Sequence, residues 1–238
     1  DHQILKGLHS LRGGLDALLN VRQTAADRYN TAKAVLDAEW QEAMQPVMED
    51  LYWYPLRNGL DATPDDEAEL RTWLERRYRD GALVVALLLL LRRYSRRAYN
   101  LGGQTALDML ALDGTFRLTD PAILALIDDH TEQLTTVGGE NSLLDTTIDD
   151  LVIEIPKAKA VAGSTALALA AYIALRSARR TETIERTERP LQVAQALTET
   201  FVNNGIVYQM YDVNGVGCPK ICAPLHGIVM PVRRIPAY

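Results

Sequence analysis

The stretch VRQTAADRYNTAKAVLDAEWQEA, residues 21–43, decides the fold class. Val21, Ala25, Tyr29, Ala32, Leu36, Trp40 and Ala43 recur at three- and four-residue steps, a period of about 3.7, which is the spacing of one helix face. Pro46 predicts the end of this helix, since a proline removes a backbone donor and crowds the preceding turn. Upstream, Ile4, Leu8, Leu11, Leu15 and Leu18 form a similar stripe, weakened in the middle by Gly13-Gly14.

Working outward, the same grammar continues. Thr63-Pro64-Asp65-Asp66-Glu67 sets a cap residue, a proline and three acids where a helix dipole favours them, and predicts a helix over 64–80. A Leu-rich segment from Ala82 to Gly102-Gly103 is apolar all round at its start, so it reads as a central helix burying Leu87, Leu88, Leu90 and Leu91. Phe116-Arg117-Leu118 reads as an extended link. Thr119-Asp120-Pro121 opens a helix ending near Gly138-Gly139, and another begins after Asn141-Ser142. Gly163-Ser164 opens an Ala/Leu helix with Arg176, Arg179 and Arg180 in its last turns, and a further helix covers 182–203, kinked or broken at Pro190. After Gly205, Ile206-Val207-Tyr208-Gln209-Met210-Tyr211 and Ile228-Val229-Met230-Pro231-Val232 read as two strands. The fold class is therefore mainly α, a multi-helix body with a small C-terminal β-hairpin and knuckle.

Composition bounds the function. A chain of 238 residues with 47% hydrophobic and 24% charged residues buries a substantial core and excludes collagenous and low-complexity classes. Its formal net charge of −6 excludes a generic polyanion binder, so any nucleic-acid contact has to be local. The apolar runs 81–91 and 160–175 are shorter than the roughly 17–25 residues that span a bilayer, and both read as core helices with no membrane partner. The first residue is Asp1 and not Met, so the sequence reads as beginning inside a longer product, and the absence of a signal peptide carries little weight.

Two groups of residues carry candidate chemistry. Cys218, Cys222 and His226 lie at four-residue steps between the two strands, and fit either three corners of a zinc site or a tight turn with reduced thiols. Asp212 is the nearest carboxylate for a fourth corner. Arg71, Arg76, Arg77, Arg79, Arg92, Arg93, Arg96 and Arg97 form the densest positive charge. They fit either a phosphate or partner contact, carried above all by Arg92, Arg93, Arg96 and Arg97, or a solvated face paired with Glu67, Glu69, Glu75 and Asp80. His2, His9 and His130 have no matching ligands in the sequence and read as surface or core histidines. Loops for nucleotide phosphates and motifs of metalloproteases or serine hydrolases are absent from the sequence, which lowers the standing of those enzyme classes.

Thr181-Glu-Thr-Ile-Glu-Arg186-Thr187-Glu188, a helical run to Gly205, a strand, and then Cys218-Pro-Lys-Ile-Cys222-Ala-Pro-Leu225-His226-Gly227-Ile-Val-Met-Pro231 together resemble the Mu F-like head morphogenesis family of tailed-phage minor head proteins. The resemblance covers about 118–232. With the helical pattern upstream, the chain reads as three regions: an N-terminal helical region over 1–115, core helices with the Arg-Thr-Glu signature over 116–204, and the hairpin with its Cys/His knuckle over 205–238. The resemblance implies a non-enzymatic virion component inside the capsid near the portal vertex, present in the host cytoplasm during assembly. The portal protein, the capsid interior and packaged double-stranded DNA are the implied partners. Arg186, Thr187 and Glu188 match the signature and read as structural, with Glu188 and Arg186 pairing across helix turns and Thr187 bonding a backbone carbonyl. Two other readings stay open: a zinc-knuckle nucleic-acid-binding protein or nuclease-like enzyme, and a carrier domain for a fused toxin.

Overall fold

A computed structural model describes residues 2–79, 81–139, 142–160, 165–206, 208–210 and 229–231. Over these residues the chain is mainly helical. The helices are α1 (His2–Trp53), α2 (Glu67–Arg79), α3 (Ala82–Met109), α4 (Pro121–Thr135), α5 (Leu143–Ala160) and α6 (Thr165–Asn203), with single 3-10 turns at Tyr54–Leu56 and Leu60–Ala62. Strands β1 (Tyr208–Met210) and β2 (Val229–Pro231) pair antiparallel, with Tyr208 opposite Pro231 and Met210 opposite Val229. Among the described residues no helix is long and apolar enough to cross a membrane.

Two compact units make up the chain, each built from separated segments. The first comprises 1–32, 99–117 and 191–238, and the second 33–98 and 118–190. In the second, Met44, Met48, Leu51 and Tyr52 of α1 are buried with Leu70 and Leu74 of α2, Leu87 and Leu91 of α3, and Leu144, Ile148, Leu151 and Ile155 of α5. Each set repeats at three or four residues, so one stripe per helix faces the core.

Three sequence expectations are corrected. Pro46 lies inside α1 and Pro190 inside α6, which is one helix of 39 residues and not two. Both prolines are exposed, as is Pro156 within α5. The carbonyls of Glu42 and Arg186, which lose their helical donors, belong to exposed residues and are left to water, while Met44, Met48, Ile184 and Val193 anchor the helices on either side. In consequence Arg176, Arg179 and Arg180 sit mid-helix. α3 likewise continues through Gly102-Gly103 to Met109. A Cβ at Gly102 would meet the Val193 carbonyl oxygen at 2.5 Å, so in the first unit the glycine admits close approach of α6.

Helix starts follow the caps, with one shift. Asp120 accepts the Ala122 N–H at 2.8 Å, with Pro121 in the first turn of α4, and the Ser142 hydroxyl accepts the Asp145 N–H at 3.3 Å at the start of α5. For α2 the cap is Asp66, which accepts the Glu69 N–H at 2.9 Å, so the helix opens three residues beyond the expected Pro64. Thr63 turns back to the Leu60 carbonyl at 2.7 Å. At the far end of α6, Gly205 takes φ +77°, and the Ile206 and Gly205 N–H groups close onto the Phe201 and Val202 carbonyls, a Schellman ending.

The expected all-round burial of α3 is also corrected. Leu87 and Leu91 are fully buried, Leu88 and Leu90 half-buried, and Val85 and Leu89 face outward. Leu87→Ala is therefore expected to cost about 2–5 kcal/mol, and Leu89→Ala within about 0.5 kcal/mol. Denaturant midpoints of the two variants check this; equal shifts would contradict the burial pattern.

Candidate functional site

The signature helix faces three surroundings in the space of three residues. Arg186 is exposed and pairs with Glu182 one turn back, at 2.5 Å. Thr187 donates to the carbonyls of Thr183 at 3.1 Å and Ile184 at 3.2 Å, the backbone bond expected of it. Glu188 does not pair with Arg186, because residues two apart point to different sides of a helix. Its carboxylate lies 2.8 Å from Nε2 of His130 on α4, in a contact where both side chains are largely buried. His130, read from the sequence as isolated, is thus half of an α4–α6 staple. Its pKa is raised by the bond to Glu188, against the lowering effect of burial.

The arginine cluster divides by partner. Arg92 pairs with Asp128 and Glu132 of α4, Arg96 pairs with Asp128 at 2.7 Å, Arg97 pairs with Glu39 of α1, and Arg71 pairs with Asp149 of α5. These carboxylates lie on other helices and not at the local positions Glu67, Glu69 and Glu75, and Asp80 lies outside the described residues. Arg77 stacks on the Trp73 ring at 4.4 Å. Arg76, Arg79 and Arg93 are exposed and make no ion pair among the described residues.

Two buried polar centres went unread in the sequence. In one, Asp150 of α5 accepts the Tyr52 hydroxyl at 2.6 Å and also pairs with Arg176 of α6. Burial, then the bond to Asp150, pushes the Tyr52 hydroxyl well above its usual value, while Asp150 raises that of Arg176. Beside them Arg180 donates to the Leu143 carbonyl at 3.1 Å, and burial lowers its pKa. In the other centre Arg189 bridges Asp37 of α1 and Glu185, Gln41 donates to Glu185 at 2.7 Å, and the Trp40 indole donates to the Thr181 carbonyl at 3.0 Å. A buried Trp or Arg requires such partners, but their identity depends on helix register, which no local pattern encodes.

Chemically these centres hold helices together. Both oxygens of Asp150 are engaged, by Tyr52 and Arg176, which leaves neither free to take a proton from a substrate. Among the described residues no three His, Cys, Asp or Glu side chains are grouped to hold a metal. The zinc candidates Cys218, Cys222 and His226, with Asp212, lie outside the described residues.

Tyr52→Phe is expected to cost about 1.5–3 kcal/mol, the range for a buried bond to a charged acceptor, measured by urea unfolding. For His130 the folded pKa lies above the unfolded value of about 6.5, so its contribution is fully present below that value and lost as pH rises through the folded pKa. The urea-midpoint gap between the chain and His130→Gln should be wider at about pH 5.5 than at about pH 8.5. A gap independent of pH would remove the charged pair from the account. Compared with family models, with curated proteins and with solved structures, the chain matches none of them.

Proposed function

We propose that the chain is a minor head protein of a tailed phage, similar to the Mu F-like head morphogenesis family, acting as an assembly component at the portal vertex inside the capsid and not as an enzyme. One observation carries the reading: the order of elements from α6 onward. The helix with Arg186-Thr187-Glu188 ends at Asn203, just before Gly205, and is followed by β1 and by its antiparallel partner β2. Residues 211–228, with Cys218, Cys222 and His226, fall between the two strands, the helix, strand, knuckle and strand sequence of that family. On this reading 205–238 corresponds to the hairpin and Cys/His knuckle of that family and 116–204 to its core helices, with a helical region over 1–115 before them.

The chemistry of the signature supports a structural role. Arg186 and Thr187 bond within α6, and Glu188 holds α4. Of the positive charge, Arg92, Arg96 and Arg97 are held by carboxylates, while Arg76, Arg79 and Arg93 remain for a partner or for phosphates.

The test is binding of the purified chain to the portal assembly of its parent particle, followed by sedimentation, with an asymmetric reconstruction of that particle to locate it. Co-sedimentation with the portal, and density at the vertex inside the head, are expected. Absence from the particle, or cleavage of DNA by the chain alone, would replace this reading with the nuclease-like one. Duplex DNA at about 50 mM salt tests the second partner: binding should weaken steeply with added salt and fall in Arg76→Glu/Arg79→Glu. No binding at that salt removes DNA from the proposal and leaves the portal in it.

A further inference from the structure

In the second unit α1 and α3 run antiparallel, since Glu39 meets Arg97, Trp40 stacks on Tyr94 at 4.1 Å, and the Tyr54 ring adjoins Gly81. Between the two helices lies a groove of about 400 Å³. Its floor is apolar and aromatic, made by Leu36 and Trp40 of α1 and by Leu90 and Tyr94 of α3, and the Arg97–Glu39 pair stands at one end. On the α3 side the apolar surface continues outward: Leu89 is 58% exposed and Val85 56%, so among the described residues this stripe has no cover.

The two walls carry opposite charge. Glu42 rises from α1 and Arg93 from α3, both exposed, and neither makes an ion pair among the described residues. The antiparallel register puts Arg93 level with Glu42 and Leu89 level with the exposed Pro46. A two-fold axis lying along the groove would set α1 of one copy over α3 of another. Each Glu42 then meets an Arg93, twice per assembly, and each Leu89 meets a Pro46. A partner carrying charge of one sign would satisfy one wall and repel the other, whereas a second copy satisfies both. Leu36, Trp40 and Tyr94 are buried within the chain and make the floor rigid, so the apolar surface offered to a second copy is that of half-buried Leu90 with exposed Leu89 and Val85, beside a charged rim.

We propose that this groove is the contact face of a homodimer, closed by reciprocal Glu42–Arg93 pairs around Leu89. The proposal is independent of the phage reading. Sedimentation of the 238-residue chain across about 1–200 μM should show a reversible monomer–dimer equilibrium. Arg93→Glu and Glu42→Arg should each raise the dimer dissociation constant by about tenfold or more, because each creates two like-charge contacts. Glu42→Arg combined with Arg93→Glu exchanges the charges and should restore the dimer. Both side chains are exposed, so unchanged far-ultraviolet circular dichroism is expected in all variants. A chain that stays monomeric throughout would overturn the proposal. So would a dimer indifferent to the single reversals, or a double variant no better than the singles.

Discussion

A carboxylate removed from water must be matched, and in the second unit this requirement fixes the arrangement of three helices. Asp150, on α5, is 7% exposed and answers Tyr52 of α1 and Arg176 of α6 at once. Leu, Ile and Met stripes alone tolerate a slide of one turn between neighbouring helices, because the apolar faces of successive turns resemble each other. A slide of α6 that put Tyr172 in the place of Arg176 would leave Asp150 without its cation in the core, a cost of several kcal/mol in ordinary cases, and the opposite slide would bring in Arg180 only by breaking its bond to the Leu143 carbonyl. The same logic applies to Arg189, held between Asp37 and Glu185. Apolar burial supplies the cohesion, and these few polar atoms select the register.

The ion pairs also account for the fate of the arginines. A sequence dense in arginine invites a reading of free positive surface, yet four of the cluster are held by acids of neighbouring helices. Exposed pairs of this kind add little stability singly. Their larger effect is to cancel charge locally, leaving Arg76, Arg79 and Arg93 as the outward cations of the group.

Much of the fold was legible in the sequence wherever the signal was local. Asp120-Pro121 and Ser142 act through atoms two or three residues away, and the structure uses both as caps. The stripe of α1 was legible in part: Ala25, Leu36 and Trp40 are buried, whereas Ala32 and Ala43 are exposed. What local grammar missed were the matters decided by exposure and by distant partners. Pro46 read as a stop and Pro190 as a kink or break, but a proline on a solvent face forfeits one bond that water replaces, and tertiary packing on the opposite face carries the helix through. Gly102 reads as a terminus, although it serves contact with a segment ninety residues away. His130 and Glu188 lie 58 residues apart, and neither carries a motif that names the other. The knuckle was the clearest motif in the chain, and its residues lie outside those described.

The interleaving of the two units bears on how the chain is made. The segments of the second unit end at residue 190. The first unit opens the chain but needs 99–117 and 191 onward, so residues up to 32, including Ala25, which is buried in the finished unit, leave the ribosome before their partners exist. At ordinary rates of translation that delay is on the order of ten to thirty seconds. A nascent chain stalled before residue 191 would carry the segments of the second unit together with the part of α1 before residue 33, whose partners from 191 onward are still to come.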